Sequence, residues 1–166
     1  MRIFGIFCAI AVLVLAASCA PAVISRGALE GASKVPFRDV SKDPDNYAGR
    51  NFVWGGTVVR TSPAGGGSEV EVVQNPIDDR GYITNPDVSG GRFIVVSKNF
   101  LDPSIYAPGL SITVAGRLRG GRAGALGGAE YVFPVIEARE LYLFKPSERG
   151  VFYPSISIGI GIGGEF

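Results

Sequence analysis

The sequence predicts an all-β domain: a small barrel of five to six short strands with one short helical turn. Three observations predict it. The chain carries 24 Gly and 11 Pro in 166 residues, a density of breakers that leaves room for short strands and turns but not for long helices. Several runs alternate apolar and polar residues, the two-residue period of a strand with one buried face. Glycines fall inside two of those runs, at Gly55-Gly56 and Gly116, where a bulge or sharp bend closes a small barrel.

The chain opens on a leader. Arg2 precedes an uninterrupted apolar run from Ile3 to Ala17, and small residues lead into Cys19. A positive start, an apolar stretch and small residues at the cut describe a secretory signal over residues 1–18. The run is short for a membrane span, which takes about 20 residues. Ala16-Ala17-Ser18-Cys19 looks like the lipobox of bacterial lipoproteins, with Ala16 where Leu is usual. That likeness implies acylation of Cys19, and the Ala20 that follows implies the outer membrane. Residues 19–36, rich in Ala, Gly and Ser without an apolar period, are expected to be the lipidated start and a tether. Fully extended at about 3.5 Å per residue, it would reach on the order of 60 Å.

The domain is expected over residues 37–146. Ser41 or Asp43 can cap a short helical turn with Pro44 at its first position, and Gly49 can end it. Asp43-Pro44-Asp45-Asn46 does not fit a calcium loop, because the glycine comes late and no closing glutamate follows. Asn51 to Thr61 alternates with Phe52, Trp54 and Val58 on one face. Pro63 to Gly67 turns the chain, and Glu69 to Gln74 returns with acids outward and valines inward, making a hairpin. Asn75 to Gly91 is loop, and Arg92 to Ser97 is an apolar strand. Phe100 to Gly109 reads as a helical turn and a loop. Leu110 to Leu118 is the next strand, followed by a glycine-rich turn from Gly120 to Gly128. Tyr131 to Phe144 makes one long strand or two short ones, with Pro134 at an edge or a break. Such a set, with a helical turn between the third and fourth strands, suggests a Greek-key barrel like the OB-fold; a β-sandwich is the alternative. Residues 147–166 form a tail in which Ile156, Ile158, Ile160 and Ile162 alternate with Ser and Gly. It is read as a disordered or edge tail, or as a strand for lipid or for a partner's sheet edge.

Composition excludes several chemistries. The formal charge is +1, and the leader removes Arg2, so the remainder is neutral and gives no reason to expect nucleic acid as a partner. Of the two cysteines, Cys8 leaves with the leader and Cys19 is the acylation candidate, so no disulfide or cysteine metal site is expected. There is no histidine, the commonest general base and metal ligand. No nucleophile elbow or phosphate loop occurs. Asp78, Asp79, Asp87, Asp102 and Glu130 are the only carboxylates considered for acid–base work, and beside Gly and Pro they read as turn formers. No catalytic residue, metal or cofactor is therefore expected. The one basic cluster is Arg117, Arg119 and Arg122, a possible face for lipid phosphate or anionic glycan and otherwise a solvated surface.

The order of landmarks resembles the Slp family of outer-membrane lipoproteins, the starvation-inducible type. The matching residues are Asp43-Pro44, Tyr47-Ala48-Gly49, Trp54 to Val59, Pro76 with Asp78, Gly91-Arg92-Phe93 and Phe100 to Pro103 with Tyr106. Thr113 to Gly116, Tyr131 to Val135 and Leu141-Tyr142-Leu143 complete the set. The resemblance implies a non-enzymatic lipoprotein held to the outer membrane by Cys19. It would face the periplasm and be linked to stress. Envelope lipid, glycan or another envelope protein would be its partner.

Overall fold

The computed structural model describes residues 21–145. Cys19 and the 147–166 tail lie outside them. Five strands close a barrel in the order β1-β2-β3-β5-β4, the last returning to β1. They are β1 (Asn51–Ala64), β2 (Gly67–Asn75), β3 (Arg92–Ser97), β4 (Ser111–Leu126) and β5 (Ala129–Leu143). All neighbours are antiparallel except β3 and β5, which run parallel. This order, closed by a parallel seam between β3 and β5 and an antiparallel one between β1 and β4, is the OB-like barrel expected from the sequence.

Period two sorts the residues as expected. Phe52, Trp54 and Val58 of β1, Val70 and Val72 of β2, Phe93 and Val95 of β3, and Ile112, Val114 and Leu118 of β4 fill the interior. Two glycines at positive φ, Gly65 and Gly66, join β1 to β2 in a two-residue hairpin turn, so both strands run further than their alternation suggested. Gly127 and Gly128 do the same for β4 and β5. Strand β4 therefore continues through the glycine-rich stretch first read as a turn.

The glycines inside β1 act through close approach. Gly55 to Thr57 are paired on both sides at once, with β2 and with β4. A Cβ on Gly56 would collide with the Val73 carbonyl oxygen and the Val72 side chain. The bulge in β1 lies further on, between Val58 and Arg60. Pro134 does not break β5. It pairs with Gly121 of β4 just before β3 joins at Val135, so its missing N–H faces no ladder partner.

Helical structure sits mainly ahead of the barrel. α1 (Arg26–Glu30) and α2 (Phe37–Lys42) are followed by a 3-10 turn at Pro44–Tyr47, with Asp43 as its N-cap residue and Pro44 inside its first turn. α2 plugs one barrel end: Val40 is fully buried, and the Phe37 ring meets Trp54 edge-on at 5.0 Å and Phe93 at 5.9 Å. Between β3 and β4 the expected helical turn is a single i→i+4 bond, Tyr106 N–H to the Asp102 carbonyl at 2.8 Å.

The expected tether needs correction over residues 21–36. Val23 N–H donates to the Arg80 carbonyl at 3.0 Å, and Ile24 is only 2% exposed. Ser25 caps α1 and also donates its N–H and Oγ to the Glu140 carboxylate at 2.9 and 2.6 Å. Isolated apolar residues here dock on the barrel wall without forming a period, so composition alone read the segment as loose.

Candidate functional site

The outer face of the barrel between its two glycine hairpins carries an ionic lattice. OB-type barrels take their ligands in this region, between the turns that join strands one to two and four to five. Glu71 of β2 binds Arg60 at 2.9 Å and Arg92 at 2.6 Å. Glu137 of β5 binds Lys98 at 3.0 Å and Arg119 at 3.1 Å. Glu69 of β2 receives two bonds of 2.8 Å from the Arg122 guanidinium. Five cations thus meet three carboxylates among these residues.

A bulge makes this arrangement possible. The β4 ladder shifts register between Leu118 and Gly120, so Arg119 is the extra residue and the side-chain phase changes after it. Arg122 then points outward like Arg119. Past Leu118, which still bonds Arg50 and Gly49 just ahead of β1, the strand is paired with β5 only, forming an arm that Arg122 clamps to β2. Glu69 lines two shallow grooves. One, of about 210 Å³, runs beside Arg60, Ile94, Phe133 and the Ala123-Gly124-Ala125 stretch of the arm. The other, of about 340 Å³, runs beside Gly65-Gly66, Lys98 and Arg119.

Electrostatics follow from the pairing. The hydrogen bonds from Arg122 hold the Glu69 carboxyl below the usual carboxylate range, and Glu69 in turn raises the Arg122 guanidinium. Glu137 is lowered as well, first by Lys98 and then by Arg119.

Of the three arginines singled out by sequence, two therefore share this face and one does not. Arg117 turns toward the start of β1, where its Nε donates to the Gly49 carbonyl at 3.0 Å. Sequence reasoning missed Arg60, Arg92, Lys98 and the three glutamates as members of this site, because their partners come from other strands and no spacing records that. Of the carboxylates weighed for acid–base work, Asp78 and Asp102 hold turns. Asp78 accepts from the N–H groups of Arg80 and Tyr82, and Asp102 from Ser104, whose bonds lower its pKa. Among the described residues no group of three metal-ligating side chains comes together.

Residues 16–158 match the model of the outer membrane lipoprotein Slp family. The chain belongs to that family. An uncharacterized lipoprotein of Escherichia coli K12, YeaY, is 31% identical to this Slp protein over 113 residues, 66% of this chain and 58% of its own. An uncharacterized protein of Haemophilus influenzae Rd is 33% identical over 105 residues, 61% of this chain and 56% of its own. The chain thus spans a little under three fifths of the length of these curated relatives. Among solved structures it is similar to the small single-stranded DNA-binding protein of Streptomyces coelicolor, at 20% identity and TM-score 0.36 over 57% of this chain and 94% of that one. It is also similar to the Stn1–Ten1 complex of S. pombe, at 18% identity and TM-score 0.38 over 67% and 76%. Both likenesses are weak, and the fold rests on the strand order of this Slp chain itself.

Proposed function

We propose that this Slp-family lipoprotein is a non-enzymatic fixture of the outer membrane, anchored by acyl chains on Cys19, that presents its barrel to the periplasm for envelope maintenance or stress adaptation. The observation that carries it is the family match, which begins at Ala16 and includes Cys19 with the whole barrel. The anchor is energetically sufficient. Each buried methylene contributes about 0.8 kcal/mol, so two or three chains on one residue hold where a single chain does not. The ionic lattice supports a recognition surface over a reactive one, since each of its three carboxylates is already ion-paired. The neutral chain after the leader argues against nucleic acid as partner.

The test is mass spectrometry of the mature N-terminus together with fractionation of the parent and Cys19→Ala proteins. The expected result is a fatty-acylated Cys19 and release of the variant from the outer-membrane fraction. An unmodified thiol, or full retention of the variant, overturns the reading.

A second reading makes the face that carries Arg119 and Arg122, without Arg117, a lipid- or glycan-binding module. The excess of five cations over three carboxylates favours it, since an anion can share Arg119 and Arg122 without stripping every carboxylate. Arg119→Ala with an anionic lipid or glycan overlay is expected to lose binding; unchanged binding rejects that face.

A further inference from the structure

We propose that the barrel end carrying Phe100 and Ile105 is a membrane-contact surface, seated in the headgroup region of the leaflet that holds the Cys19 acyl chains. This inference rests on the anchor proposed above. Its geometry comes from strand direction. β3 and β5 are parallel and β4 is antiparallel to β5, so the end of β3, the start of β4 and the end of β5 share one end of the barrel.

The connection across that end, residues 98–110, is firmly held yet turns apolar groups outward. Leu101 plugs the interior, its N–H bound by the buried Ser68 Oγ at 2.8 Å, and Thr61 Oγ1 donates to the Tyr106 carbonyl at 2.8 Å. Phe100 and Ile105 are left 64% and 56% exposed. The fold has placed one leucine inward on this connection and presented a phenylalanine and an isoleucine to the outside. Such exposure removes nothing from water unless another apolar phase covers it.

The route of the chain says what covers it. Phe144 leaves β5 at this end, its N–H donating to the Ser111 carbonyl at 2.9 Å. The Tyr82 ring packs on Phe144 with centroids 6.0 Å apart, and Tyr82 Oη donates to the Pro21 carbonyl at 3.0 Å. Pro21 is thus tied, through Tyr82 of the β2–β3 connection, to the residue that follows the end of β5. Cys19 lies two residues earlier, a reach of about 7 Å at most. With the segment docked instead of extended, acyl chains on Cys19 hold this end against the bilayer. The hairpin tip at Gly127-Gly128 lies at the far end of β4, sixteen residues from its start. Tyrosine, amphipathic and suited to the interface, sits where the chain meets lipid.

The experiment uses the lipidated full-length protein in phosphatidylethanolamine–phosphatidylglycerol vesicles containing doxyl-labelled lipid. Ile105→Cys and Ala125→Cys each give one free thiol for a bimane label, since acylation occupies the Cys19 sulfur. The label at position 105 is expected to shift to the blue and be quenched, and that at 125 to behave as in water. Equal quenching at both positions, or none at 105, overturns the proposal while leaving the anchor intact. A free thiol at Cys19 in the intact mass overturns the anchor instead. Independently, the Cys19→Ala chain is pelleted with the same vesicles with and without Phe100→Ser and Ile105→Ser. A tenfold or greater loss of partitioning is expected, with unchanged thermal melting. Equal partitioning, or no binding by the Cys19→Ala chain, counts against the surface.

Discussion

Replacing Ile24 by alanine separates a docked N-terminal segment from a free one. Ile24 is 2% exposed and lies against the loop at Gly81, where a Cβ would come 3.5 Å from its Cγ1. The substitution removes three carbons, which at about 0.8 kcal/mol each is about 2.4 kcal/mol of transfer free energy. Buried Ile→Ala changes span about 2–5 kcal/mol once the cavity is included, and a site at the barrel wall, where neighbours relax, belongs at about 2–3 kcal/mol. For a domain of this size each kcal/mol moves Tm by about 2–4 °C, so a fall of roughly 5–10 °C is expected. The assay is thermal unfolding of the Cys19→Ala chain with and without Ile24→Ala, followed by circular dichroism. Hydrogen exchange at Val23 gives a local readout, since its N–H is bound to the Arg80 carbonyl. An unchanged Tm together with unprotected exchange at Val23 in the parent would refute the reasoning and restore the free tether.

Three further outcomes follow from the same contacts. Gly56→Ala forces a methyl onto the Val73 carbonyl and is expected to destabilise the barrel by about 3 kcal/mol or more, read by urea unfolding; a loss below 1 kcal/mol would mean that the strands give way there. Ser68→Ala strips the buried Leu101 N–H of its acceptor and is expected to cost about 1–3 kcal/mol, with faster exchange confined to residues 98–110. Acid is expected to loosen the β4–β5 arm: Glu69 has its pKa lowered by folding, so its contribution is complete above the unfolded carboxylate range and disappears as pH falls through the folded value. Carboxyl NMR titration checks it, with Arg122→Ala expected to move Glu69 back toward its ordinary value and to flatten the acid response.

Much of the barrel was legible because its strands bury one face each. Phe52-Trp54, Val70-Val72 and Ile112-Val114 announce their inward sides by alternation alone. What alternation cannot carry is which strand lies beside which. The Arg122–Glu69 and Arg119–Glu137 bonds join residues far apart in the chain, so the arginine cluster looked like one open cationic face. Closure determines that Arg119 and Arg122 are ion-paired across strands while Arg117 turns elsewhere. The N-terminal segment was misread for a related reason. Ile24 and Ser25 each find one specific partner on a surface that exists only after the barrel forms, and single contacts leave no period to detect.

The parallel seam between β3 and β5 is only three residue pairs long, Ile94 to Val96 against Val135 to Glu137. Both glycine hairpins zip from neighbouring residues, whereas this seam must bring together segments separated by forty positions. Loop-closure entropy therefore places it, with the β1–β4 seam whose partners lie 54 to 66 positions apart, after the hairpins in folding. Until both seams close, each hairpin has strand edges with unpaired backbone groups, the feature that invites pairing with another chain.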